Sequence, residues 1–367
     1  MMNESKKNIT IYDIAKEAKV SPATVSRVLS DSGYGVRPLL RKRVEEAADL
    51  LGYMPNMIGR QLKKKITTNI GVILPSISNP FYPKLLLGIE EVARQAGKQV
   101  LLCNSGRSAD VEKGYLQTLY ENQVKGIIVS SISDDYSMFS EIQERGVSLV
   151  ALDQKMENFD CQQILFDYER AGFMAAEHLL KKGHRKIGFI SAPLDRFSRK
   201  SVFDGFCSAM LQYQIDLPEE YILISTNEYE SIENSYEFEN GRNLTEKLMN
   251  LQNPPTAIFA CNDMTALGVY KQLNEMGLKI PDDVSVMGLD DIEVSSMISP
   301  GLTTIHQPNY EMGKIACKIL LEVLDGEFNE VDILLQPKLI ERGSIKEIDV
   351  GRKLHGTKMG WKALGYR

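Results

Sequence analysis

The chain has little of what would mark a secreted, membrane-spanning or metal-binding protein. Its 367 residues include five cysteines, four histidines and one tryptophan. Cys103, Cys161, Cys207, Cys261 and Cys317 are far apart, odd in number and form no CxxC. That argues against a disulfide framework and a zinc site, and for buried thiols in a reducing compartment. No histidine pair has ligand spacing, so no metal and no other cofactor is expected. No window approaches the roughly 18 consecutive apolar residues of a membrane span. The leading MMNESKKNIT is charged and no apolar run follows it, so no secretory signal is read there and a cytoplasmic protein is expected. The sequence has no P-loop, no strand-linked GxGxxG, no nucleophile elbow and no catalytic histidine pair. An enzyme is therefore not expected.

What is present is a globular composition, 43% hydrophobic and 25% charged, on a chain long enough for two or three domains. The net charge of −6 hides an asymmetry. Residues 1–65 hold thirteen Lys/Arg and seven Asp/Glu, and the other 302 hold 30 and 42. A small basic module joined to a large acidic one is expected.

In ITIYDIAKEAKV, Ile11, Ile14, Ala15 and Ala18 share one helical face. Thr10 stands as N-cap, with Asp13 in a variant of the capping box. After Lys19-Val20 a second helix starts, with Ser21 as N-cap and Pro22 at the first helical position. Val25, Val28 and Leu29 face inward and Ala23, Thr24, Ser26 and Arg27 outward. Two short helices joined by a turn form a helix-turn-helix; the plainer alternative is a helical hairpin with a solvated face. Small residues at the start of the second helix allow close approach to base edges, and Arg27 can reach a guanine. Ser21, Thr24 and Ser26 suit phosphates. A third helix begins at Pro38, with Leu40, Val44, Ala47, Ala48 and Leu51 as its stripe. In GYMPNMIGRQLKKK, Asn56 caps a short helix with Met57, Ile58 and Leu62 apolar. A helix this short folds only against a partner; a charged linker is the alternative.

From Asn69 apolar β-rich runs alternate with helical patterns in two series, NIGVILP to VSLVALD and KIGFIS to VSVMGLD. The fold class expected is a small all-α helix-turn-helix head plus an α/β two-lobed core of doubly wound parallel sheets. Ligands sit beyond the carboxyl ends of such strands. Phe81, Asp153, Arg196, Ser198, Asn262, Asp263 and Asp290 follow strands and converge on a cleft; for each acid alone, a helix cap is the alternative. Domains are expected at 8–55 for the head, 56–66 for the hinge and 67–348 for the core, with a basic tail at 349–367 outside it.

TIYDIAKEAKVSPATVSRVLS, GYMPNMIGRQL, GVILPSISNPFYPKLLLGIEE, GHRKIGFIS, CNDMTALGV and GLTTIHQPNYEMG resemble the lactose-repressor/galactose-repressor (LacI/GalR) family over nearly all of residues 9–345. LPSISNPFYPKLLLGIEE and GYLQTL look most like ribose-operon repressors. The resemblance implies a homodimer, or a higher assembly of dimers, on a pseudo-palindromic double-stranded DNA operator. It implies a core like periplasmic sugar-binding proteins, and a sugar or sugar-phosphate effector between the lobes, ribose first. Some relatives use a protein co-effector instead. Implied DNA contacts are Thr10, Ser21, Pro22, Ala23, Thr24, Ser26, Arg27, Tyr53, Asn56 and Leu62, with Leu62 as a wedge in the minor groove. Implied effector contacts are Phe81, Asp153, Asp167, Arg196, Ser198, Asn262, Asp290 and Gln307. The chain departs from the pattern in three places. Gly59 stands where alanine is usual, costing a helix about 1 kcal/mol. SRKSVFDGF lacks a second arginine just before its GF. The acidic, tyrosine-rich NEYESIENSYEFENGR reads as an inserted loop near the pocket mouth. A sugar-binding transport protein is disfavoured by the basic head and the missing signal.

Overall fold

The computed structural model describes residues 9–29, 35–53, 69–226, 235–327 and 333–349. The chain divides into two compact units, 1–68 and 69–367. Among the described residues no helix is long and apolar enough to cross a membrane. None of the cysteines is in a disulfide, and Cys103, Cys261 and Cys317 are buried.

The first unit contains α1 (Ile11–Ala18), α2 (Pro22–Leu29) and α3 (Pro38–Leu51). Asp13 accepts from the Thr10 N–H at 2.8 Å and hydroxyl at 2.7 Å and so fixes the start of α1. Lys19 ends α1 in the left-handed region at φ 51°. Ile14, Ala15, Ala18, Val25, Val28, Val44, Ala47 and Ala48 form its core, as their helical spacing predicts. Leu40 and Leu51 of the predicted α3 stripe are only half-buried. Arg43 donates to the Ala18 carbonyl at 2.6 Å and ties α3 to the end of α1.

The second unit is built from two six-stranded sheets. The first lobe takes β1 (Asn69–Leu74), α4 (Phe81–Gln95), β2 (Gln99–Asn104), α5 (Ala109–Glu121), β3 (Gly126–Val129), α6 (Ser137–Glu144), β4 (Ser148–Leu152) and β5 (Gln162–Phe166). The second takes α7 (Tyr168–Lys181), β6 (Ile187–Ser191), α8 (Phe197–Gln212), β7 (Ile222–Ile224), α9 (Tyr236–Met249), β8 (Ala257–Ala260), α10 (Asp263–Glu275), β9 (Ser285–Asp290), α11 (Val294–Met297) and β10 (Thr303–His306). Then α12 (Asn309–Leu324) returns to pack on α4 and the first sheet, followed by β11 (Ile333–Leu335) and β12 (Lys338–Ile340). Strand order is β11-β5-β4-β3-β1-β2 and β12-β10-β9-β8-β6-β7. The lobes are thus joined before α7, before α12 and between β11 and β12.

The central strands are buried end to end, so they read as apolar runs rather than alternating ones. The all-parallel expectation fails at one edge: β12 runs antiparallel to β10. A short connection from β11 turns the chain into the second sheet, too brief for a helical crossover. A second difference concerns NEYESIENSYEFENGR. Its described part, from Ser235, is not an inserted loop but the start of α9; residues 227–234 lie outside the described residues.

Candidate functional site

In the head, α2 carries the residues expected to meet DNA. Ala23 and Arg27 are exposed, while Pro22, Thr24 and Ser26 are half-buried. The Ser21 hydroxyl accepts from the Thr24 N–H at 3.2 Å and shares a 2.9 Å hydrogen bond with the Thr24 hydroxyl. Ser21 thus caps α2 as its sequence predicts, and one of these two O–H groups remains for a phosphate. Thr10 is exposed. Tyr53 is half-buried against the core of the head. Asn56 and Leu62 lie outside the described residues.

In the core, strand ends of both lobes face a cleft. Its lining includes Phe81, Asp153, Arg196, Ser198, Asn262, Asp290 and Gln307 from the expected effector set. Asp167 is a correction. It does not line the cleft; its carboxylate accepts from the Arg170 N–H at 2.9 Å and caps α7, and its neighbour Tyr168 takes the place in the cleft. Asp263 is a second correction. It is fully buried and takes Ile292 N–H at 3.0 Å, Ser295 Oγ at 2.6 Å and Thr304 Oγ1 at 2.6 Å, tying α10 to β10 and the segment after β9. Asn262 fills both roles foreseen for it: it lines the cleft and caps α10, accepting from Thr265 N–H at 2.8 Å.

The cleft acids have different surroundings. Asp153 follows β4 with φ 70°, in a region that non-glycine residues avoid. Its carboxylate accepts from Tyr168 Oη, from Gln154 Nε2 at 2.8 Å, and from Ser130 Oγ and Gln307 Nε2, each at 3.4 Å. Burial pushes its pKa up while these donors pull it down, and burial wins. Asp290 ends β9 at φ 124° and is 7% exposed. Its carboxyl has no side-chain hydrogen bond to any described residue. Burial, then the charges of Asp263, Asp153 and Glu237, drive its pKa well above the ordinary carboxylate range. Beside it the Gln307 Oε1 is buried without a hydrogen-bond partner. An unmatched acid and an unmatched carbonyl, set in strained backbone, are what a site awaiting hydroxyl donors requires.

Sequence reasoning missed much of the lining. Arg107, Gln154, Tyr168, Arg199 and Glu237 line the cleft unforeseen, while Asn79 and Tyr82 belong to the NPFY run that follows the first strand. Gln154 crosses to the second lobe, donating to Ser198 Oγ at 2.9 Å. Arg107 and Glu237 form a buried ion pair between the lobes. Burial raises the Glu237 pKa, but the charge and hydrogen bond of Arg107 outweigh it and hold the carboxylate below its usual range. The fields of Arg196, Arg107 and Arg199 all reach the Tyr82 hydroxyl. Gln154 stands beside Asp153 of the strand-end set, and Tyr168 beside Asp167 of the set implied by the resemblance; Glu237 lies in the NEYESIENSYEFENGR run expected near the pocket mouth, and Arg107 carried no local signal. The space among these groups is a cavity of about 60 Å³.

Residues 10–56 match the model of bacterial regulatory proteins of the lacI family, and residues 176–345 match a periplasmic binding protein-like domain. Catabolite control protein A of Priestia megaterium is 35% identical over 335 residues, 91% of this chain and 98% of that protein. The HTH-type transcriptional repressor PurR of Aliivibrio salmonicida is 31% identical over 341 residues, 92% of this chain and 99% of that protein. Among solved structures, the lac repressor dimer bound to operator and an anti-inducer superimposes with a TM-score of 0.79 at 29% identity, over 93% of this chain and all of that one. A LacI family regulator from Enterococcus faecium with bound ribose gives a TM-score of 0.68 at 29% identity, over 77% of this chain and all of that one.

Proposed function

Because the chain belongs to the LacI family of bacterial regulatory proteins, and is a DNA-binding transcription regulator, we propose that it represses a carbohydrate-utilisation operon under the control of a sugar bound between its lobes. The observation that carries this reading is the unmatched pair in the cleft, the Asp290 carboxyl and the Gln307 Oε1. Both take hydroxyl donors, while Phe81 offers a ring face and Arg196 a donor. Ribose is the first candidate, supported by the ribose-bound Enterococcus faecium relative. In the head, Pro22, Ala23 and Arg27 read bases in the major groove while Ser21, Thr24, Ser26 and Thr10 hold phosphates. Tyr53 and Asn56 also contact the DNA, and Leu62 wedges the minor groove. Two half-sites need two heads, so the working form is a dimer. The exposed Leu87 and Leu102, on α4 and edge strand β2, offer apolar surface for the second copy.

One observation favours a second reading. The 35% identity to a catabolite control protein supports a protein co-effector acting in place of the sugar, or along with it.

The experiment is binding to an operator selected in vitro from random duplexes, at fixed salt, with and without ribose, other monosaccharides, disaccharides and their phosphates. Fixed salt matters because phosphate contacts make affinity steeply salt-dependent. A sugar that changes operator affinity by at least about fivefold, the lower end of usual coupling, identifies effector and sign together. Tight specific binding that ignores every sugar sinks the sugar reading in favour of the co-effector.

A further inference from the structure

Next to Asp290, whose carboxyl is unmatched, stands an acid that is fully matched. Asp291 has φ 58° and Asp290 φ 124°, so two successive non-glycine residues hold backbone that such residues avoid. Strain of this kind persists only where neighbouring contacts enforce it. The Asp291 carboxylate supplies those contacts. Its Oδ1 accepts from Arg342 Nη2 at 2.6 Å, and its Oδ2 accepts from His306 Nδ1 at 2.9 Å. Arg342 is fixed in turn: its Nη1 donates to the Leu302 carbonyl at 2.8 Å, and its backbone N–H to Thr303 Oγ1 at 2.9 Å. The Asp291 and Arg342 side chains are 16% and 21% exposed, so water screens this pair less than a surface pair. Burial raises the Asp291 pKa, but His306 and Arg342 outweigh it and hold the carboxylate below its usual range. Of two adjacent acids, one is kept charged while the other is pushed toward its neutral form.

None of Asp291, His306 and Arg342 lines the cleft, yet two of them are chain neighbours of residues that do. Asp290 precedes Asp291, and Gln307 follows His306. His306 lies opposite Asp290 in the register of β10 on β9, and the Gln307 N–H donates to the Asp290 carbonyl at 3.3 Å. The bond from His306 to Asp291 therefore ties together the two places where the cleft presents its unmatched groups. We propose that Asp291 is a positioning residue: clamped by Arg342 and His306, it enforces the turn at 290–291 and so fixes the Asp290 carboxyl against the Gln307 amide. It touches no ligand and acts through its two neighbours. Arg342 suits the clamp because its planar fork reaches Asp291 and a backbone carbonyl at once, which a lysine cannot do with the same geometry. The clamp stands on the geometry; its consequence for the effector rests on the reading of the cleft given above.

The test compares the native full chain with Asp291→Asn, which keeps one acceptor, and Asp291→Gly, which keeps none but suits a positive φ better than aspartate does. A residue that merely shapes the turn and one that clamps it predict opposite orders. Hydrogen exchange without ligand is read at the Ile292 and Gln307 amides, which donate to Asp263 Oδ2 and the Asp290 carbonyl. Exchange there is expected to rise in Asp291→Asn and further in Asp291→Gly, by at least about tenfold, with the amides of β8 unchanged. Exchange in Asp291→Gly equal to or slower than native overturns the clamp, since backbone shape alone would then be what the position needs. If Asp291→Gly does not fold, Arg342→Gln and His306→Asn carry the same test from the other side of the contact. D-ribose and the other monosaccharides are then titrated by calorimetry. For any sugar that binds the native protein, affinity is expected to fall from aspartate through asparagine to glycine, by at least about fivefold overall. Equal affinity in all three overturns the positioning role even where the amides loosen. If no sugar binds the native protein while the amides loosen in the expected order, the clamp stands and the sugar reading of the cleft fails.

Discussion

Asp153 and Asp290 end runs of the same kind, VALD in the first lobe and VMGLD in the second, yet they are built for different work. Asp153 is saturated with donors, so its carboxylate holds the cleft wall together. Asp290 has no such donor and faces three other acids. Its raised pKa means that the folded state keeps a proton longer than the unfolded state does. From the ordinary carboxylate range upward, stability therefore falls as pH rises, until the folded group also ionises. At neutral pH this acid is a cost to folding, tolerated at a site. Asp290→Asn is accordingly expected to raise the melting temperature of the core and to flatten that fall. It should also weaken effector binding by about fivefold to tenfold, as losing one hydrogen bond in a buried site does. Thermal scans across pH, paired with calorimetry against the effector, check both halves. A variant with weaker binding and a lower melting temperature would mean that Asp290 is structural, like Asp263. The sequence places both Asp290 and Asp263 after strands, with a helix-start role the stronger alternative for Asp263. Only the partners of Asp263, which are 29 to 41 residues away in the chain, separate them.

The elements follow from patterns that act at short range. Buried strands announce themselves as apolar runs, and helix starts by Thr10, Ser21, Ser108 and Asn262. Two features escape that logic. The start of α9 is disguised by its acidic, aromatic composition, which reads as a loop, whereas the helix begins at Tyr236. The antiparallel β12 is three residues long, too short for any periodicity. Packing between elements is less legible still, and it is decided in places by a hydrogen atom. A methyl group on Gly313 of α12 would overlap the Leu85 carbonyl, and one on Gly88 of α4 would overlap the Tyr310 carbonyl. These two helices hold the first lobe to the returning chain, and the obstacle is backbone, which cannot rotate aside. Gly313→Ala is expected to lose about 1–3 kcal/mol or more. Gly114→Ala, in exposed α5 with nothing within 4 Å of the added carbon, should gain up to about 1 kcal/mol. Urea titrations of the two variants give the comparison. Equal effects would mean that α4 and α12 are not in close contact.

On the scale of the whole molecule, charge and function divide along the same line. The unit 1–68 carries a net +6 and the unit 69–367 a net −12. The acidic unit as a whole repels phosphates, so the basic unit is the source of the attraction to DNA, and it is screened by salt. The cleft lies wholly in the acidic unit, between lobes joined at three places. This division is legible in the sequence, because composition survives without knowledge of contacts; the cross-lobe pair is not, because Arg107 and Glu237 are 130 residues apart. A regulator built this way couples its sites only through differences in affinity, so the coupling must read the same from either end. If the effector changes operator affinity by a given factor, saturating operator duplex should change effector affinity by that factor, at least about fivefold and in the same direction. Raising salt should lower operator affinity steeply and leave effector affinity to the free protein nearly unchanged. Calorimetric titration of the effector with and without duplex, and of the duplex with and without effector, each at two salt concentrations, measures the affinities needed. Agreement of the two factors within about twofold is the expected result. A clear mismatch would mean that the sugar acts on DNA binding by a route other than equilibrium between two forms of this protein, such as by changing its assembly.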